Sequence, residues 1–218
     1  MFLSMKKLVF VVMFGALCFS ASAQTRFSLG PVVGVGGTWI DNLDSKQGKT
    51  HGSFGLAMVF SATPNFGIGA DIRYSFEGGK NKITNGGLVT AKEINLDYLR
   101  VPVRAILFLG EKGSRIRPKL SVGPTVGFLM GGKTNTTFSE SNGNVLTSRT
   151  VNSKDVYNRF DVGLNAGAGL HYRLVKSTWL IADVGYYHGL RDIVENPSTN
   201  SSLKNRNLAV NLGVNFGL

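Results

Sequence analysis

The chain has 218 residues, 24 Lys and Arg against 13 Asp and Glu for a net charge of +11, and a single cysteine. One cysteine excludes an internal disulfide framework and a thiolate metal site, and the length suits one domain. The charge excess calls for solvated basic connections or an acidic partner surface.

The first element is a leader. Lys6 and Lys7 precede the apolar run Leu8 to Phe19, and the small residues Ala21, Ser22 and Ala23 stand before Gln24. This is the pattern of a signal peptide cut after Ala23. The apolar run is about twelve residues, short of the roughly 20 that a membrane-spanning helix needs. Cys18 raises lipidation, but Leu17 stands where a small residue is required before a lipidated cysteine. Residues 1–23 are therefore read as signal peptide and residues 24–218 as the single barrel domain, with no cysteine and a charge of about +9.

From residue 27 the hydrophobic pattern has period two, the spacing of a β-strand. Phe27, Leu29, Val33, Val35 and Trp39 oppose Ser28, Gly30, Gly34, Gly36 and Thr38. The same division recurs at Phe54, Leu56, Met58 and Phe60, and again from Phe66 through Ile68, Ile72 and Tyr74 to Phe76. Further strands are expected over 94–108, 117–130, 156–173 and 179–190. The last strand is the clearest, with Leu208, Val210, Leu212, Val214, Phe216 and Leu218 opposing Asn207, Ala209, Asn211, Gly213, Asn215 and Gly217.

Eight strands result. Long connections near 40–50, 78–92, 131–155 and 191–204 alternate with short ones at Pro64–Asn65, Gly110–Ser114 and Val175–Ser177. Short periplasmic turns and long outer loops are the habit of outer-membrane barrels. The expected fold is all-β, an eight-stranded antiparallel up-and-down transmembrane β-barrel in the cell outer membrane, with both termini on the periplasmic side. Lys46, Lys49, Lys80, Lys82, Lys112, Arg115, Lys133, Arg149 and Lys154 lie in or beside connections and suit contact with outer-membrane lipid and anionic lipopolysaccharide. Nucleic acid is not an expected partner of an exported chain.

A soluble barrel also alternates, with its apolar face inward. The polar face here is rich in Gly, Ser and Asn, as a cramped lumen requires, and the apolar face carries no charge, as hydrocarbon requires. Phe27, Phe60, Phe66, Tyr172, Trp179 and Phe216 fall at one end of the strands, and Trp39, Tyr74, Phe76, Phe128 and Tyr186 at the other. Two interfacial girdles are implied. In the fourth strand the apolar face runs Ile94, Leu96, Tyr98 and then Val101, Val103, Ala105, Leu107, so its phase slips near Leu99–Arg100. A β-bulge is expected where strands four and five meet, and Pro102 and Pro124 disfavour regular pairing.

The segments Tyr98-Leu99-Arg100-Val101-Pro102-Val103, Leu120-Ser121-Val122-Gly123-Pro124, Phe160 to Gly169 and Gly185-Tyr186-Tyr187-His188-Gly189-Leu190 resemble the PorT-like outer-membrane β-barrel family. The resemblance covers essentially all of residues 24–218 and implies fold and location. The family's named member is tied to a secretion system that exports gliding and adhesion proteins.

The inward face is expected to carry Asp71, Arg73, Glu77, Asp97, Arg100, Arg104, Lys119, Arg159, Asp161, Arg173 and Asp183. An eight-stranded interior is just wide enough for side chains to fill, so opposed charges should pair and plug it; a proton or ion path is the alternative. His51, His171 and His188 lie on different strands without metal-ligand spacing. His188, near Tyr187 and Asp192, would fit a lipid-modifying hydrolase or acyltransferase only with a nucleophile in hydrogen-bond reach. Gly34 to Gly37 and Gly163 to Gly169 lack the strand-to-helix setting of a phosphate loop, and no cofactor motif is present.

The expected function is a non-enzymatic structural, adhesion or secretion-accessory component with a surface or secretion protein partner. A small-solute pore and a lipid-modifying enzyme are the alternatives, and no oligomeric state is implied. The longest connection, 131–155, is the expected partner site, unless it is a mobile loop or a hairpin extending strands five and six.

Overall fold

The computed structural model describes residues 26–41, 47–111, 113–194 and 202–218. The expected signal peptide lies outside the described residues, as do the centre of the 40–50 connection and much of 191–204. Ten strands follow in chain order: β1 (Phe27–Ile40), β2 (Lys49–Ser61), β3 (Phe66–Asn85), β4 (Leu88–Phe108), β5 (Ile116–Gly131), β6 (Lys133–Glu140), β7 (Val145–Asn152), β8 (Phe160–Val175), β9 (Thr178–Gly189) and β10 (Asn205–Gly217). Strands β1, β2, β3, β4, β5, β8, β9 and β10 each pair with two neighbours in a ring, β4 taking β6 as a third partner, and β10 returns to β1, so eight antiparallel strands close on themselves. Closure leaves the ring no unpaired edge, which hydrocarbon could not solvate.

Burial shows which way the alternation faces. In β10, Leu208, Val210, Leu212 and Phe216 are 47–51% exposed, whereas Asn211 and Asn215 are 5% and 0% exposed. The apolar face therefore points outward and the polar face inward, the inverse of a soluble barrel. Small inward residues let the narrow ring coil: a Cβ on Gly36 would collide with the backbone of Leu208 on β10.

Two strands extend further than their hydrophobic pattern indicates. The 78–92 connection is not a loop, because β3 and β4 stay paired out to Asn85 and Leu88. Gly86 and Gly87 close that hairpin with φ of 56° and 83°, the both-positive geometry of a tight two-residue turn. The sixth expected strand, 156–173, is also shifted, since β8 runs from Phe160 to Val175.

The phase slip in strand four is absent. Ile94, Leu96, Tyr98, Arg100, Pro102, Arg104, Ile106 and Phe108 are all buried in unbroken alternation. Ile94, Leu96 and Tyr98 thus face the lumen and not the lipid. A register shift does occur where β4 meets β5, but the extra residue is Met130: Tyr98 pairs with Leu129 and Asp97 with Gly131. The β3–β4 ladder is interrupted between Arg100 and Val103, around Pro102, and the β4–β5 ladder between Pro102 and Ala105, opposite Pro124.

Apolar clusters stop both ends of the lumen. Ile40, Ile94, Leu96, Tyr98, Leu129, Tyr157 and Ile193 form the plug at the long-connection end. Val59, Ile106 and Phe108 form a smaller one at the short-turn end.

Candidate functional site

Between the plugs lies a layer of charge. Arg100, on β4, donates from Nε to Glu77 Oε1 at 2.9 Å and from Nη2 to Glu77 Oε2 at 2.5 Å. Its Nη2 also lies 2.8 Å from Asp161 Oδ2, and its Nη1 donates to the Tyr187 hydroxyl at 2.9 Å. The rings of Tyr98 and Tyr187 each lie 4.2 Å from the guanidinium carbon. Stacking and forked hydrogen bonding together suit Arg and would not suit Lys. Gly127 makes room, since a Cβ there would meet the Arg100 guanidinium.

A second group adjoins the first. Arg104 Nη2 and Arg73 Nη2 each lie 2.6 Å from Asp71 Oδ2. Arg73 Nη1 donates to Asn211 Oδ1 at 2.6 Å, and Asn211 Nδ2 donates to Asp183 Oδ1 at 2.9 Å. Lys119 Nζ donates to Asp183 Oδ2 at 2.8 Å. Four cations therefore meet four carboxylates, and the membrane level of the lumen carries no net charge. A cavity of about 50 Å³ remains beside Arg73, Arg100, Arg104, Asn165 and Asn211, a space that suits a few ordered waters.

Eight of the eleven expected inward residues are brought together in this layer: Asp71, Arg73, Glu77, Arg100, Arg104, Lys119, Asp161 and Asp183. Three are not. Asp97 is half-buried on the opposite face of β4, because that strand keeps its phase through Tyr98. Arg159 is exposed and precedes β8, and its carbonyl accepts from the Leu129 N–H. Arg173 has the inward parity but lies at the short-turn end, where it donates to the Gly113 carbonyl at 2.7 Å. The period-two pattern also missed Tyr98, Tyr187, Asn205 and Asn211 as members of the network. Asn211 and Asn205 were visible as polar residues on an inward parity, but Tyr98 was hidden by its apolar neighbours.

The histidines do not assemble a catalytic group among the described residues. His188 is exposed, with its ring 6.2 Å from Tyr186, whereas the neighbouring Tyr187 points into the lumen. Asp192 accepts from the Leu203 N–H through its carboxylate. His51 Nδ1 lies 3.2 Å from the Phe76 carbonyl. No group of three potential metal ligands occurs among the described residues.

The second feature stands outside the ring. β6 continues the line of β5 along the outer half of β4, from Ile94–Thr134 to Leu88–Glu140, and β7 folds back on β6. With the ends of β3 and β4 it makes a four-stranded sheet beyond the outer aromatic belt, where Phe54, Tyr74 and Phe76 lie with ring centroids 5.3–6.3 Å apart. The hairpin is the extension of strands five and six, here β5 and β8, above the ring, with β6 also pairing along β4. Thr134 and Ser153 anchor its base, their hydroxyls 3.1 Å apart, and the Ser153 hydroxyl donates to the Asn95 carbonyl at 2.7 Å. Among the described residues β7 pairs with β6 alone, so its other edge is open. Cross-strand partners place Ile83, Thr90, Phe138 and Thr147 in one row on one face. Ile83, Leu88, Phe138, Val145 and Leu146 are all exposed.

Residues 20–195 match the family model described as the outer membrane protein beta-barrel domain. The chain belongs to this outer-membrane β-barrel family. Its membership places the barrel in the outer membrane, and the habit of such barrels is to set short turns toward the periplasm and long connections outside. Among solved structures, Neisserial surface protein A is similar at 12% identity with a TM-score of 0.50, covering 88% of this chain and 97% of that one. The major outer membrane protein of Thermus thermophilus is similar at 11% identity with a TM-score of 0.48, covering 87% and 98%. OprG of Pseudomonas aeruginosa is similar at 12% identity with a TM-score of 0.45, covering 89% and 96%. At these identities the likeness concerns the fold. No curated protein matches the chain.

Proposed function

We propose that this outer-membrane barrel is a non-enzymatic adhesion or secretion-accessory component that binds a protein partner through the sheet of β3, β4, β6 and β7. The observation that carries this reading is the open edge of β7 beside exposed Phe138, Val145 and Leu146. Such an edge offers unpaired backbone groups to an added strand, while neighbouring side chains supply selectivity. The hairpin is not needed to close the ring, and a long ordered connection of this kind is usually functional.

Other features agree. The resemblance to PorT-like barrels supports a role beside a secretion or surface protein, and the expected leader supports export. Lys80, Lys82, Lys92, Lys133 and Lys154 lie on or near the sheet and suit anionic lipopolysaccharide or an acidic partner. The apolar plugs and the neutral charge layer argue against a small-solute pore. The divergence of His188, Tyr187 and Asp192 argues against a lipid-modifying enzyme.

The test replaces residues 136–150 with a short Gly-Ser turn, keeping the Thr134–Ser153 anchor. Cross-linking in the native membrane followed by mass spectrometry should then lose a partner that the parent retains, while the barrel still migrates as folded on unheated gels. Retention of every partner would remove the sheet as the binding surface.

A further inference from the structure

We propose that the periplasmic mouth of the barrel is a docking site for an acidic, aromatic-containing segment of a periplasmic protein. The short-turn end of the lumen opens into a cavity of about 510 Å³, within the size range of specific ligand sites. Arg26, Phe108, Arg117, His171, Lys176 and Trp179 line it, and no carboxylate does so among the described residues. The contrast with the lumen is direct. There each cation faces a carboxylate; here Arg26 and Lys176 are exposed and Arg117 donates to the Pro64 carbonyl.

The floor is built, not incidental. Arg117 lies 4.4 Å from the Phe108 ring and donates to the Pro64 carbonyl, while its Nε has no partner. His171 is 6% exposed, its ring 5.2 Å from Phe108 and 6.3 Å from Trp179, and its Nε2 also lacks a partner. Both nitrogens are shut off from solvent in the free barrel, so a ligand satisfies them only when the floor side chains shift to admit it. At the rim, Lys176 occupies the β8–β9 turn with φ of 37°, a conformation that favours Gly or Asn. A cation is held there despite its backbone.

The geometry selects a peptide over a membrane lipid. Phe108, Arg117, His171 and Trp179 have lumen-facing parity, so the cavity opens along the barrel axis into the periplasm and not through the wall. An entering segment would set carboxylates against the rim cations and an apolar side chain on the Phe108–His171–Trp179 floor. Exposed backbone at the short turns lies beside it.

The experiment uses Trp39→Phe protein folded in neutral detergent, which leaves Trp179 as the only tryptophan. The probe is a synthetic peptide alternating Glu with Phe and Leu; a Lys-for-Glu version, inorganic phosphate and phosphatidylglycerol vesicles are the comparison arms. A saturable change in Trp179 emission is expected with the acidic peptide alone. Arg26→Gln combined with Lys176→Asn should weaken it at least about tenfold, as loss of two steering charges implies, and added salt should weaken it further. Heat-modifiable gel mobility reports that the variant is folded. Absence of a saturable change, equal response to the Lys peptide, or unchanged affinity in the variant would overturn the proposal. Displacement by millimolar phosphate would reduce the site to a simple anion site, and preference for the vesicles would reassign it to lipid; either also overturns it.

Discussion

Arg100 and Glu77 meet inside the barrel through two parallel contacts, Nε to Oε1 and Nη2 to Oε2, although 23 positions separate them in sequence. Their side chains are 6% and 0% exposed. Removing one partner strands a buried charge, a loss of roughly 3–5 kcal/mol. Arg100→Ala should therefore lower the urea unfolding midpoint of the reconstituted barrel strongly, and Glu77→Gln should do so as well. Arg100→Met combined with Glu77→Gln should cost less than the two single changes together, because charge is removed in pairs; Asp161 then keeps part of the loss. Additive losses would show that the groups are hydrated independently.

Arginines with similar sequence settings should separate by location. Arg104 is 7% exposed and bound to Asp71, whereas Arg159 is exposed outside β8. Arg104→Ala should destabilise the barrel measurably, since it takes one of the two cations from buried Asp71, though Arg73 still holds that carboxylate. Arg159→Ala should stay within about 0.5 kcal/mol of the parent. Equal shifts in unfolding midpoint would contradict the placement of Arg159.

The barrel should not conduct. Ile94, Leu96 and Tyr98 close the outer end, Phe108 and Ile106 narrow the periplasmic end, and paired charges fill the middle. Planar bilayers containing the folded protein should show no stepwise current, and Phe108→Ala alone should not open a path, because two further barriers remain. Regular conductance steps from the parent protein would mean that the plugs move.

Lys176 offers a prediction in which stability and binding change in opposite directions. Asn accepts positive φ more readily than Lys, so Lys176→Asn should raise the unfolding free energy by up to about 1 kcal/mol, read as a higher urea midpoint. The same change should weaken binding of the acidic peptide at the mouth. A destabilised variant would indicate that the Lys side chain stabilises the turn.

The barrel could be read from sequence because period-two alternation is local. Val33 and Val35 against Gly34 and Gly36, or Leu208 to Phe216 against Asn207 to Asn215, define a strand, its two faces and the inside-out placement without knowledge of any partner. The alternation of short and long connections then orders the strands around the ring. The same method failed between Glu77 and Ile94. Beyond the membrane no hydrocarbon demands an apolar face, so Lys80, Asn81 and Lys82 carry no period, and it is pairing to β4 that makes them strand.

The face of Ile94, Leu96 and Tyr98 was likewise undecidable locally. An apolar residue suits the lipid and a lumen plug equally well, and the choice depends on Ile40, Tyr157 and Ile193, which arrive from other parts of the chain. The sequence by itself determined the eight-stranded, outward-apolar barrel, since that follows from the alternation of each strand and the solvent it must face. Only the tertiary structure decided that Arg100 takes Glu77 and Asp161, that Arg159 takes neither, and that β7 keeps an open edge. Those outcomes depend on which distant strands become neighbours, a matter of ring closure and register that no single strand encodes.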